Sequence, residues 1–390
     1  MGSSVALHLA GRGAHATVFE REPQPFTGAS RWNEGKIHLG FLYAADPTLR
    51  TARSLLGPGL DFADQVERLT GAVCAERMTP ADDLYLVHRD SVSSPEATRG
   101  YFERLAEAIR ECPDASRYLV DASGCRVEEL SPEELGAVAD PSEIVAGLRV
   151  PERSVNTGFV ADAFVAALRA ATGVELACGI EVSSVEATAD GRWSVISGAE
   201  AHGPFDAVVN ALWEGRPAVD RSVGHRPDEG EQHRFRVSLF ARARLDLVIP
   251  SAVVAVGPFG DLKGYGDGSF YVSWYPAGLL ARSESVEPPA VPVLDASARE
   301  RIAAETFAGL GAIVPAALSI RDVATEVRVE GGWVYSQGRG LLDDPSAAVH
   351  RRDLHGISRA GSYFSVDTGK YSVAPTRAEE LARLVLAESA

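Results

Sequence analysis

The sequence is short of several things, and each shortage removes a class of protein. Its 390 residues hold four cysteines, Cys74, Cys112, Cys125 and Cys178. No two have C-x-x-C spacing, so neither a zinc centre nor a disulfide framework is expected, and a reducing, cytoplasmic setting is. No apolar run reaches the roughly 18 residues a spanning helix needs, so no membrane span is expected. No signal peptide is visible. Positive charge is in deficit: 38 Lys and Arg against 54 Asp and Glu leave a net charge of -16. A surface of that sign repels phosphate backbones, so no nucleic-acid partner is expected. There is no internal repeat and no long low-complexity tract. What remains is a chain long enough for two domains or one large α/β unit.

The opening also lacks something. A dinucleotide-binding motif runs strand, G-x-G-x-x-G, helix, second strand, and an acid at the tip of that strand. The chain starts inside this register. Gly2 and Ser3 open a helix with Ala6, Leu9 and Ala10 on its packing face, and Gly13 ends it. Ala16 to Phe19 read as the second strand, Glu20 is the acid at its tip, and Arg21 follows. The first strand and first two glycines belong upstream, roughly ten residues that the sequence does not contain. Met1 then reads as an interior residue of the motif. A vector remnant is the alternative reading of Met-Gly-Ser-Ser.

Downstream, residues 56–150 mix acidic helical segments, Tyr101–Cys112 and Pro132–Val138, with a strand at Leu84–His88. Residues 159–171 have the apolar spacing of a helix. Val174–Cys178, Glu181–Glu186, Trp193–Ile196 and Phe205–Asn210 read as strands separated by glycine turns. Phe235–Ala241, Ala252–Val256 and Ser269–Tyr275 alternate as strands of a separate β region. A helix is expected at 296–310 and a terminal one at Arg377–Glu388. This order predicts an α/β fold, α+β taken whole: a discontinuous Rossmann-like nucleotide domain with a mainly antiparallel β domain inserted into it.

Four blocks, in order, resemble the D-amino-acid-oxidase superfamily of FAD-dependent oxidoreductases, which includes glycine and sarcosine oxidases, glycerol-3-phosphate dehydrogenase and L-2-hydroxyglutarate oxidase. The first is the partial motif ending at Glu20. The second, Ala29 to Tyr43, is similar to the family segment S-x-x-N-S-G-x-I-H-x-G-x-x-Y, with Glu34 in place of the usual serine. The resemblance implies that Ser30, Asn33, Gly35, Lys36 and Ile37 lie along the flavin pyrophosphate and ribityl chain. The third runs from Val155 to Asn210-Ala211 and implies backbone contact of Val182 with the adenine, with Asn210 and Ala211 beside the cofactor. The family's glycine after that strand is delayed here to Gly215. The fourth, Ala360 to Tyr371, resembles the closing segment that covers the flavin pyrimidine edge and implies roles for Gly361, Thr368, Gly369, Lys370 and Tyr371. FAD is the implied cofactor. Residues 1–55, 151–225 and 326–390 would bind it, and residues 56–150 and 226–325 would face the substrate.

The implied enzyme is an FAD-dependent oxidase or dehydrogenase that moves a hydride from the carbon of a small amine or amino acid to flavin N5. A 2-hydroxy acid is the alternative substrate, and oxygen or a quinone the acceptor. A degenerate, non-catalytic binding protein is the alternative of another class. His38 is the candidate acid–base or orienting group, against a structural histidine. Lys370 would stabilise negative charge on reduced flavin, against a solvated lysine. Tyr271, Trp274 and Tyr275 are candidates for a pocket roof, against plain core. Arg234, Arg236 and Lys263 are candidates for gripping a substrate carboxylate, against a solvated basic face. No metal centre is expected.

Overall fold

The computed structural model describes residues 1–225, 231–243, 247–287, 289–351 and 353–388. Its first helix, α1 (Gly2–Ala10), buries Val5, Ala6 and Leu9 and is followed by a turn in which Gly13 takes φ +85°. That turn delivers the chain into β1 (Ala16–Glu20), which pairs in parallel with β7 (Val174–Cys178), Glu20 opposite Cys178. The helix α5 (Thr157–Ala170) precedes β7. Its Asn156 cap accepts from the Phe159 N–H at 3.1 Å, satisfying one of the free donors of the first turn.

A second parallel pair joins β11 (Val208–Asn210) to β19 (Tyr363–Asp367), with β18 (Gly356–Ala360) antiparallel on the far edge. The terminal helix α10 (Ala374–Glu388) packs Leu381, Ala382 and Val385 against Val5 and Leu9 of α1 and against Phe364 and Val366. A small antiparallel sheet, β8 (Ser184–Ala187), β9 (Trp193–Ser197) and β10 (Glu200–Phe205), packs on Phe19 and Val208 from the other side. Thus, among the described residues, β1 is paired on one edge only, and so is β11.

The inserted region is a nine-stranded, mostly antiparallel sheet. Its order is β16 (Leu279–Ser283), β12 (Gln232–Arg242), β15 (Ser269–Trp274), β14 (Gly260–Gly264), β13 (Ala252–Ala255), β3 (Asp83–His88), β5 (Ile144–Val150) and β4 (Glu128–Glu129), with β17 (Glu326–Ser336) also on β12. Alternation on β12 sends Phe235, Val237, Leu239 and Ala241 to a core shared with α8 (Ala296–Ile313) and α9 (Ala316–Val323). Arg234, Arg236, Ser238 and Phe240 therefore face the other way. A second core gathers α2 (Arg50–Thr70) and α3 (Pro95–Arg110) around Leu55, Phe62, Phe102 and Leu105. A short pair, β2 (Lys36–Ile37) with β6 (Arg153–Ser154), ties the two regions. Short helices α4 (Pro132–Val138), α6 (Arg216–Ser222) and α7 (Tyr275–Gly278) complete the chain.

The discontinuous α/β architecture with an antiparallel insert is as expected. The strands β2, β4, β5, β6, β10, β14, β16, β17, β18 and β19 were not. Nor was the 21-residue helix α2. Because β17 belongs to the large sheet, that sheet continues past residue 325 to Ser336.

Candidate active site

A cavity of about 1940 Å³ lies between the parallel pairs and the large sheet. Small-molecule pockets span roughly 300–1,000 Å³, so this one has room for a dinucleotide together with a substrate.

At one end, Gly2, Ser3, Glu20, Arg21, Val182, Asn210 and Ala211 line the wall. The Glu20 carboxylate accepts the Glu22 N–H at 3.0 Å, which fixes it at the tip of β1. Arg21 is exposed and donates to Glu214 at 3.1 Å. Burial pushes the Glu214 carboxyl up from its ordinary range. Asn210 is committed elsewhere: its amide nitrogen donates to the Arg216 carbonyl (2.9 Å), to Asp220 (2.8 Å) and to the Tyr363 hydroxyl (2.9 Å). Its side chain therefore builds the fold of that strand end.

Ser30, Asn33, Lys36 and His38 line the middle. Asn33 shapes its own loop, donating to the Ala29 carbonyl (2.8 Å) and accepting the Gly35 N–H (2.8 Å). Gly35 and Ile37 are outside the wall. Gly35 has φ +64°, and a Cβ there would lie 1.8 Å from the Val155 carbonyl oxygen. Ile37 has no exposed surface and points into the core. Lys36 is buried in a charge cluster. Its ammonium meets Asp83 and lies 3.5 Å from Glu152, and these two carboxylates hold its pKa above the usual lysine range despite burial.

Thr368, Gly369, Lys370 and Tyr371 line the closing end, and the Lys370 ammonium lies 5.4 Å from the centre of the Tyr43 ring. Gly361 is in an exposed turn with φ +58° and takes no part in the wall.

On the large sheet, the three carboxylate-grip candidates separate. Lys263 has no exposed surface and is held by Asp83 at 2.7 Å and Ser251 at 3.1 Å. Arg234 is buried and donates to the Tyr275 hydroxyl at 3.3 Å. Arg236 alone of the three lines the cavity. Its guanidinium lies 4.5 Å over the Tyr275 ring, and its buried Nε has no hydrogen-bond partner among the described residues. Tyr271 also lines the cavity, its hydroxyl bonded to Ser238 at 2.9 Å. Tyr275 stands behind Arg236 and outside the wall, and Trp274 packs on the α8 side.

Sequence reading missed Glu152. It is fully buried, accepts the N–H groups of Leu39 (2.7 Å) and Gly40 (3.2 Å) and the Tyr85 hydroxyl, and so clamps the backbone on the far side of His38. Its one sequence signal is an acid between two short extended runs, Ile144–Val150 and Arg153–Ser154.

The residues present fit a flavin dinucleotide: an acid at the tip of β1 for a ribose, small residues at the α1 start for a pyrophosphate, and a lysine at the closing segment for the flavin edge. Among the described residues, no cluster of His, Cys, Asp and Glu could hold a metal ion, and no helix is long and apolar enough to cross a membrane.

Residues 1–324 match the family model described as FAD dependent oxidoreductase, DAO. No curated protein matches in sequence. Among solved structures, the glycine oxidase from Geobacillus kaustophilus superposes with TM-score 0.68 at 14% identity, covering 99% of this chain and 91% of that one. The iminodiacetate oxidase from Chelativorans sp. BNC1 gives 0.63 at 15% identity, covering 99% and 92%. The FAD-bound L-alpha-glycerophosphate oxidase from Mycoplasma pneumoniae gives 0.60 at 15%, covering 99% and 93%. At these identities the likeness is one of fold.

Proposed function

The chain belongs to the DAO family of FAD-dependent oxidoreductases, and from that premise we propose that it oxidises a small amine or amino acid by hydride transfer from the substrate carbon. The observation that carries an acid substrate over a plain amine is Arg236: a guanidinium in the cavity wall, stacked on Tyr275, with a buried Nε that nothing among the described residues satisfies. An unsatisfied buried donor is costly, and a planar carboxylate matches it in shape and charge. FAD, when bound, takes the hydride at N5.

The chain's own residues do the rest. Arg236 holds the substrate carboxylate, and Tyr271, fixed by Ser238, closes the site from the sheet side. His38, buried in the wall, orients the amine. A neutral amine needs no strong base, because its nitrogen lone pair forms the C=N bond as the hydride leaves. Lys370, on the cavity wall, would offset negative charge at the flavin edge. The cofactor side is residues 1–55, 151–225 and the part of 326–390 that follows β17. The substrate side is 56–150 and 226–325 together with β17.

The test is turnover of glycine, sarcosine and proline against 2-hydroxy acids, read both as oxygen uptake and as dye reduction. Arg236→Ala should raise KM for the amino acid by roughly 10- to 100-fold, the cost of a lost charged hydrogen bond. The same substrate without its carboxylate should be little affected, and Arg236→Lys should recover part of the loss. An equal effect on both substrates removes Arg236 from the carboxylate. Turnover of 2-hydroxy acids alone replaces the amine reading with the second one, in which His38 takes the hydroxyl proton.

A further inference from the structure

Glu34 brings into the cavity wall a charge that the fold does not use. It stands where the similar family segment has a serine, it is half-buried, and it lines the cavity. Its backbone is fixed. The Tyr265 hydroxyl donates to its carbonyl at 3.0 Å, and the next residue, Gly35, is held at φ +64° against the Val155 carbonyl oxygen. Its carboxylate, among the described residues, has neither a hydrogen bond nor an ion pair. The basic side chains of its own segment are already paired, Arg31 with Asp162, and Lys36 with Asp83 and Glu152. Lys263, on β14, is held by Asp83.

The surrounding field is two-ended. Burial first and the Glu34 charge second push the Asp261 carboxyl above its ordinary range. Burial, then the Asp261 and Glu34 charges, do the same to the Tyr271 hydroxyl, while Arg236 pulls it the other way. Tyr271 therefore stands between a negative end of the pocket, at Glu34, and a positive end, at Arg236. Arg236 is on β12 and Asp261 on β14, with β15 between them. Two strand spacings set these ends about 10 Å apart, and no ion pair joins Glu34 to Arg236.

We propose that Glu34 is a specificity residue that holds a lasting positive charge at the far end of the substrate, so that the substrates are amino acids with a cationic side chain. The substrate class so named rests on the amine-oxidation reading above, with Arg236 on the carboxylate. A half-buried carboxylate with no partner is costly, and a cation from outside offsets that cost. The reacting nitrogen is not that cation. Hydride transfer needs its lone pair, and a carboxylate against it favours the protonated form, in which the lone pair is taken. A charge that persists through the reaction, an ammonium or guanidinium farther along the side chain, meets no such conflict. Ornithine, lysine and arginine have side chains of the length that remains once Arg236 and Glu34 reach in from either end.

The test uses a ligand that cannot be oxidised. A quaternary ammonium has no lone pair to form a C=N bond, so the ω-trimethylammonium derivative of hexanoate and its uncharged tert-butyl isostere report binding alone. Both are titrated calorimetrically into the FAD-loaded protein, into Glu34→Gln and into Glu34→Asp. The parent protein should bind the cation at least about tenfold tighter than the isostere, the gain of a charge-assisted contact. Glu34→Gln should bring that ratio to about one, and Glu34→Asp should keep part of it. The ratio of kcat/KM for lysine to that for norleucine should follow the same order in the three proteins. Equal binding of cation and isostere by the parent protein overturns the assignment. So does a preference that survives Glu34→Gln, which would belong to the general field of a chain with net charge -16. A cation preference that depends on Glu34, in a protein that turns over no amine, upholds Glu34 and removes the oxidation reading. Ready turnover of norleucine, with no preference for lysine, upholds oxidation and removes Glu34.

Discussion

At the scale of single residues, burial rather than pairing sets the most informative titration. His233 has no exposed surface on β12, with its ring centre 5.4 Å from that of Tyr335 and 6.1 Å from that of Trp333. Burial first, and the Arg216 guanidinium second, pull its pKa down to about 4. An unfolded histidine titrates near 6.5. The folded state therefore binds fewer protons in between, so this contribution to stability is complete above pH 6.5 and is lost as pH falls toward 4. His8 and His355, also lowered by burial, add to the same slope. His233→Leu should flatten the acid limb of a denaturant-stability profile by at most about 3 kcal/mol between pH 8 and pH 4. A variant whose stability falls as steeply as that of the parent protein would mean that His233 is already charged in the fold.

At the scale of elements, α2 shows both how a helix can be hidden in sequence and why. Gly57-Pro58-Gly59 reads as a turn, yet it lies inside one helix. The glycines are not equivalent. A Cβ on Gly59 would stand 2.3 Å from the His38 carbonyl oxygen, so the helix passes against the His38 segment only because that atom is missing; a Cβ on Gly57 would meet open space. Gly57→Ala should thus stabilise the protein by up to about 1 kcal/mol through helix propensity. Gly59→Ala should displace His38, lowering both the melting temperature and kcat; unchanged kcat in a folded Gly59→Ala protein would take His38 out of the reaction. Other elements were legible for the complementary reason. α1, β1 and α10 carry clean apolar periodicity with glycine or a loop at their ends. β14 did not show itself because Asp261 and Lys263, on one face of it, are charged: Lys263 is buried against Asp83 and Ser251, and the half-buried Asp261 is bonded to Ser273, which defeats an alternation argument. β17 begins by alternating and then breaks at Gly331-Gly332, where a Cβ on Gly331 would lie 1.9 Å from the Arg236 carbonyl oxygen. In the site, His38 and Lys370 were singled out only because their segments resemble those that the family places against the flavin. The choice of Arg236 over Arg234 could not be made from sequence, since residues two apart on a strand share a face; a register shift between Phe235 and Arg236, and the Tyr275 hydroxyl bonded to Arg234, decide it.

At the scale of the whole molecule, the distribution of positive charge separates surface from site. The chain has only three lysines among its 38 basic residues, Lys36, Lys263 and Lys370. Lys36 and Lys263 are sealed in the interior around Asp83, and Lys370 is on the cavity wall. Arginine does the work elsewhere, as where Arg117 faces Asp61 and Asp64 on the outside of α2. Its planar, weakly hydrated guanidinium suits shared surface carboxylates, whereas a compact ammonium suits a small enclosed site. This division is testable with an amine acylating reagent near pH 8, followed by peptide mass mapping. In the native protein, modification at lysine should be confined to Lys370, with Lys36 and Lys263 reacting only after denaturation. Saturating FAD should slow acylation of Lys370 several-fold, because the closing segment that carries it lies against the cofactor cavity. Acylation of Lys36 or Lys263 at the native rate of Lys370 would show the cluster open to solvent. An FAD-insensitive Lys370 would place it away from the flavin edge.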